Sequence, residues 1–199
     1  MNYPKTLSRL IESYKKLPSI GEKTAERLAL ATLELDDEII EMFSTSIKEI
    51  KAKIKKCPKC GNLTEEDECL ICADKSRDRE TICIVEDVKN VISLEKVGTY
   101  NGLYHVLDGL ISPLDGVNPE DLNINSLLER TKDGSIKEII MAIKPGIEGE
   151  MTSLYITKKL SNSGVKITKI AYGIPIGADM DYLDSLTLEM ALEDRKEVS

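Results

Sequence analysis

Cys57, Cys60, Cys69 and Cys72 stand as two CxxC pairs separated by eight residues. Zinc takes soft donors in a tetrahedron at about 2.3 Å from sulfur, and one CxxC turn delivers two sulfurs from the same side of the chain. Gly61 follows the second cysteine directly and permits the tight turn a metal knuckle needs. The spacer Glu65-Glu66-Asp67-Glu68 is too polar to pack as core. The spacing therefore predicts a small closed zinc finger. Four thiolates leave no coordination position for substrate or water, so the metal would be structural. Either pair alone would also suit a redox dithiol or a disulfide. Met1-Asn2-Tyr3-Pro4-Lys5 has no apolar stretch of the secretory kind, which points to a reducing cytoplasm and so to metal. Cys83, inside the run Thr81-Ile82-Cys83-Ile84-Val85, is expected to be a buried core thiol.

A second constellation is basic. Lys23 and Arg27 lie four residues apart just after Pro18-Ser19-Ile20-Gly21, so on a helix they project from one face beside a tight turn. A helix start there presents amides without intrahelical partners to any approaching anion, and phosphate suits such a site. Glu22 and Glu26 flank the pair and would neutralise it if the segment merely packs a helical core. A third constellation is acidic: Glu86 closes an apolar run, and Glu148-Gly149-Glu150 follows Ile143-Lys144-Pro145-Gly146-Ile147.

These groups need elements to hold them. Leu7, Leu10, Ile11, Tyr14 and Leu17 predict a helix over 4–17, with Pro4 suited to its first turn; Ala25, Leu28, Ala29, Thr32 and Leu33 mark a second. A third begins near Asp36 with the seam Ile40, Phe43, Ile47, Ile50 and Ile54. Its lysines, Lys48, Lys51, Lys53, Lys55 and Lys56, read as a solvated face at a helix C-terminus. Beyond Cys72, apolar runs at 81–85, 103–106, 136–143 and 165–171 alternate with helical stretches at 88–95, 119–129 and 149–162. That pattern predicts a parallel sheet covered on both faces.

With 199 residues, 41% hydrophobic and 31% charged, the chain suits one good core plus smaller modules. No stretch approaches the ~20 apolar residues of a membrane span. The net charge of −8 is unevenly spread: residues 1–56 hold 11 Lys and Arg against 9 Asp and Glu, the remainder 16 against 26. Phosphate contact is therefore expected at the N-terminal end.

The motifs carry resemblances. Leu17 to Leu28 resembles a helix-hairpin-helix, the DNA-backbone-binding unit, with Ser19 where its first glycine usually stands. Glu86 with the segment from Lys144 to Glu150 resembles a Toprim domain, whose second motif reads DxDxEGE. Glu86, Glu148, Gly149 and Glu150 match, whereas Lys144 and Gly146 replace the two metal-binding aspartates. A cation and a side chain without oxygen there exclude two-metal phosphoryl transfer; the alternative reading is a metal-dependent Toprim nuclease or primase-like enzyme.

In order, these units and the stretch Tyr172 to Tyr182 resemble the bacterial RecR recombination mediators over nearly the whole chain. The resemblance implies an α+β multidomain protein: a helix-hairpin-helix region (1–56), a four-cysteine zinc finger (57–78), a Toprim domain (79–172) and a C-terminal Walker B-like and helical segment (173–199). It implies a non-enzymatic DNA-repair clamp. Such a homo-oligomer, a tetrameric ring, acts with RecO and RecF to load RecA onto single-stranded DNA. Ile20, Gly21, Lys23 and Arg27 would then meet DNA, the four cysteines would hold one structural zinc, and Glu86, Glu148 and Lys144 would face a partner. Asparagine is usual where Lys144 stands and glycine where Ala178 stands. No P-loop occurs, so nucleotide hydrolysis is not expected. A protein–protein adaptor is a further possibility.

Overall fold

The computed structural model describes residues 3–171, 173–195 and 197, and divides the chain into two compact units that meet at Ile54 and Lys55. Tyr172 lies outside the described residues. In the first unit, α1 (Lys5–Tyr14) and α2 (Glu22–Thr32) form a hairpin. Ile11 packs on Ala25 and Ala29, whose small side chains let the helices approach closely, and Tyr3, Leu7, Leu10, Tyr14 and Ile20 border that core. The Tyr14 and Thr32 hydroxyls lie 2.9 Å apart and link the last residues of the two helices. The helix predicted over 4–17 stops at Tyr14. Leu17 closes its last turn with an i to i−3 bond to Tyr14, because Pro18 bars its predecessor from α geometry. The third helix, α3 (Asp37–Lys53), opens on Asp37 and Glu38 and closes on Lys51 and Lys53, each charge facing the favourable end of the macrodipole. No α3 residue is buried, although its seam is apolar.

The second unit starts with a two-residue ribbon, β1 (Lys55–Lys56) paired antiparallel with β2 (Leu63–Thr64), followed by the single turn α4 (Leu70–Ala73). Lys55 and Lys56 thus leave the helix to which periodicity assigns them, because the loop carrying Cys57 and Cys60 needs two paired strands to close it.

The main sheet follows: β3 (Thr81–Val85), α5 (Val88–Val97), β4 (Leu103–Val106), α6 (Ile124–Thr131), β5 (Glu138–Ala142), α7 (Ile147–Leu160) and β6 (Lys166–Lys169), with α8 (Ser185–Glu193) last. Its strands are all parallel in the order β4-β3-β5-β6. Alternation sorts the side chains. Ile82, Ile84, Leu103, Ile139 and Met141 pack with Leu127 of α6 and Ile156 and Leu160 of α7. Cys83, Val85, Tyr104, Val106 and Ala142 pack on the opposite face with Val91 of α5. Both faces are therefore covered, as the apolar runs predict, and each fully buried Ile contributes about 1.5–3 kcal/mol.

β5 and β6 are shorter than their apolar runs. β3 offers only the register Thr81↔Glu138 to Val85↔Ala142, so Ile136 and Ile143 enter the core outside the ladder. The helix predicted over 119–129 is interrupted. Pro119–Asp121 forms one 3-10 turn closed by Asn118 and Asp121, Leu122 turns extended into the core, and only then does α6 begin. Among the described residues no helix is long and apolar enough to cross a membrane.

Candidate functional site

The four cysteines are buried, and their sulfurs lie within 4.8 Å of one another, Cys60 Sγ and Cys69 Sγ at 3.5 Å. A tetrahedron with about 2.3 Å metal–sulfur bonds places sulfurs about 3.8 Å apart, so the donor set fits zinc. The backbone builds this geometry. Cys57 N–H donates to the Asn62 carbonyl at 2.6 Å and Gly61 N–H to the Cys57 carbonyl at 2.8 Å, while Cys69 caps α4 and places Cys72 one turn on. All five cysteines are free thiols. Hydrogen bonds from Cys60 and Cys72 push the Cys69 thiol down while the bond to Cys69 pushes Cys60 up, so the packed sulfurs share protons that a bound metal would displace. Cys83 lies apart in the core, and burial raises it to about 12.

The knuckle is seated on the sheet. Val106 N–H donates to the Cys60 carbonyl at 2.8 Å. Gly61, at φ 76°, lies where a Cβ would press on the Val106 carbonyl and the Asn123 amide. Beyond the knuckle, Arg77 forms a two-point ion pair with Glu95 of α5, which also accepts from Tyr104 Oη at 2.9 Å.

In the hairpin, Ser19 adopts φ 65°, the left-handed conformation the usual glycine would take. Gly21 leads into α2 with no side-chain cap, and nothing lies within 4 Å of its missing Cβ. Lys23 and Arg27 are exposed and make no ion pair among the described residues. Neutralisation by Glu22 does not occur, because its carboxylate pairs with Lys15 at 2.6 Å. Glu22, with Glu12, pushes the Lys15 ammonium further up. Ile20 turns inward onto the Ile11 core.

At the carboxyl ends of the strands, Glu86 follows β3 and Lys144 follows β5, on either side of the point where strand order reverses, where open parallel sheets hold their ligands. Lys144 Nζ lies 3.1 Å from Glu86 Oε1. Glu148 and Glu150 occupy the first turn of α7, and Glu150 pairs with Lys169. Gly149 is buried, and a Cβ there would overlap the Lys144 carbonyl oxygen. Gly146 has φ 140°. Among the described residues the four cysteines are the one group of three or more His, Cys, Asp or Glu close enough to hold a metal, so Glu86, Glu148 and Glu150 are not gathered into one.

Sequence reasoning missed a buried polar group between β4 and α6. His105 is wholly buried. Its Nδ1 lies 3.2 Å from Arg130 Nη1, always a donor, so Nδ1 accepts and Nε2–H donates to the Asn123 carbonyl at 2.6 Å. Burial lowers His105 to about 4. Its only sequence signal is a polar residue inside an otherwise apolar strand.

Fold and site together define a Toprim-domain protein that carries a helix-hairpin-helix and a four-cysteine zinc finger. The Toprim domain family model matches residues 80–171. The models for the RecR helix-hairpin-helix, the RecR four-cysteine zinc finger domain and the RecR C-terminal region match 7–51, 54–74 and 173–196. The chain is 47% identical over 198 residues to the Recombination protein RecR of Staphylococcus haemolyticus (strain JCSC1435), and equally so to that of Staphylococcus aureus (strain Newman), covering 100% of both chains in each case. This chain belongs to the RecR family of recombination proteins.

Proposed function

We propose that the chain is a non-enzymatic, DNA-binding recombination mediator of DNA repair. It would act with RecO and RecF to load RecA onto single-stranded DNA. The carrying observation is that Lys23 and Arg27 stand exposed, without a carboxylate partner among the described residues, beside a helix start whose amides have no side-chain cap. Cations and free amides on one side of a turn grip a phosphodiester backbone irrespective of sequence. Ile20 and Gly21 shape that turn.

Few contacts on an acidic chain hold DNA weakly, so an oligomeric clamp, a tetrameric ring, supplies avidity. Ile39, Phe43, Ile47 and Ile50, all exposed on α3, support self-association. One zinc per chain would hold the knuckle. The face around Glu86, Glu148 and Lys144 would meet a partner protein. The Lys144–Glu86 pair favours the non-enzymatic reading over a metal-dependent nuclease, since an ammonium there repels a divalent cation. The functional divisions would run 1–56, 57–78, 79–172 and 173–199, in a cytoplasmic protein.

The test is binding of a labelled oligonucleotide to Lys23→Glu/Arg27→Glu across a salt series, with mass measured by light scattering. Loss of affinity for all sequences alike, in a parent that is oligomeric, is expected. Unchanged binding by the variant, or a strictly monomeric parent, would sink the reading.

A further inference from the structure

At the amino ends of β3, β4 and β5, opposite the Glu86 region, a cavity of about 570 Å³ lies between the zinc knuckle and the sheet. Lys59, Arg79, Arg130 and Lys137 line it, against Glu80 and Asp133. A second hollow of about 480 Å³ shares Lys59, Cys72 and Arg79 with the first and adds Lys75. These cations gather on a part of the chain where acidic residues outnumber basic ones by 26 to 16.

The cations are largely unspent. Lys59 is paired with Glu68 at 2.6 Å, but Arg79, Arg130 and Lys137 form no ion pair among the described residues. Arg79 reaches only the Cys72 and Asp74 carbonyls, at 3.4–3.5 Å, and Lys137 donates to the Gly134 carbonyl at 2.9 Å. Arg130 is the rigid member. Its Nη1 donates to the Tyr104 carbonyl at 2.8 Å and to His105 Nδ1, and the buried, neutral His105 is itself fixed by Asn123. A guanidinium held by neutral acceptors keeps its charge for an external anion, and its fork matches phosphate oxygens. A zinc tetrathiolate, formally −2, would draw on Arg130. Its sulfurs are buried, however, whereas Arg79 and Lys137 face solvent.

We propose that this groove is a second contact for the phosphodiester backbone of a nucleic-acid strand, separate from the hairpin. The inference rests on the reading that the chain binds DNA. Two adjoining open hollows that share cations form a track for successive phosphates, whereas a small anion is ordinarily held in an enclosed cup. No base-reading geometry accompanies the cations, so the contact adds affinity rather than sequence preference.

The test is fluorescence anisotropy of labelled oligothymidylate with the full-length chain over a salt series, comparing Arg79→Ala/Lys137→Ala, Lys137→Ala alone and Lys23→Glu/Arg27→Glu. Each single-strand phosphate contact contributes about 0.7 to the slope of log K against log salt. The groove double variant should therefore lose about 1.4 from that slope, with weaker binding and unchanged zinc content. Lys137→Ala, outside the knuckle, should lose about half as much, and it decides the matter if Arg79→Ala disturbs the metal. Parental affinity and slope in both groove variants, with binding lost in the hairpin variant, would overturn this inference alone. Parental affinity in all three would remove the hairpin as the DNA contact as well, whereas a parent that binds no oligothymidylate would remove the DNA-binding reading itself. Retained DNA affinity with lost binding of a polyglutamate probe would make the groove an acidic-protein site and overturn the proposal.

Discussion

The ammonium of Lys144 stands 3.1 Å from the Glu86 carboxylate, bridging the carboxyl ends of two neighbouring parallel strands. An open parallel sheet ordinarily offers this crevice to a ligand, and here a side chain of the protein sets a positive charge beside Glu86. One oxygen of Glu86 is thereby paired with a cation of the protein's own.

Lys144 is 59% exposed, so Lys144→Ala should cost at most about 1 kcal/mol in a denaturant titration. The charge matters more. Calorimetric titration with Mn²⁺ should show no uptake near Glu86 in the parent and weak uptake in Lys144→Asp, which sets two carboxylates side by side. Equal uptake by both would show that Lys144 does not govern the crevice.

Gly149 admits no side chain, because a Cβ would meet the Lys144 carbonyl, which is backbone and cannot swing away. Gly149→Ala should destabilise the chain by about 1–3 kcal/mol, the cost of overpacking, read as a lowered denaturation midpoint. Gly21→Ala meets nothing within 4 Å and should leave the midpoint within about 0.5 kcal/mol of the parent. The opposite ranking would contradict the packing described.

Metal analysis should return about one zinc per chain, and a chelator strong enough to remove it should unfold the segment from Lys55 to Ala73. Its four cysteines form a small cluster of their own, and most structural zinc binding energy is folding energy. Cys60→Ser should lower both zinc content and the thermal midpoint. A chain free of zinc with an unchanged midpoint would refute the assignment.

His105 is the sole histidine, so its linkage can be isolated. Burial holds the folded group near 4, against about 6.5 when unfolded; the unfolded chain therefore takes up the proton first as pH falls. Stability from this residue is complete above about pH 6.5. It declines as pH falls toward 4, by roughly 1 kcal/mol at pH 5.5 and roughly 3 kcal/mol over the window. Denaturant midpoints at pH 7.5 and 5.5 should show that loss in the parent and not in His105→Gln, with zinc content measured at both.

The elements were legible wherever a period was long. The hairpin helices, α3 and the strands 81–85 and 103–106 follow from spacing alone, and the cysteine quartet from ligand arithmetic. Boundaries were less legible: Pro18 marks a break, yet α1 ends at Tyr14 and not at Leu17. Elsewhere neighbours set them: β3 is five residues long, so β5 is too, although its apolar run continues to Ile143. The interruption at Leu122 escaped periodicity because the packing of one leucine decides it.

Composition and order of residues sufficed to establish which chemistries this chain carries: soft ligands for a metal, a basic pair behind a turn, and acidic strand ends without their aspartates. Those are properties of residue type and of spacing within short motifs. Only the tertiary structure decided which charges cancel. Glu22 takes Lys15 and leaves Lys23 free, Lys144 takes Glu86 from 58 residues away, and Arg130 finds only neutral acceptors. Coulomb attraction falls with distance in space, not along the chain, so the pairing of charges becomes defined only when the strands and helices have packed.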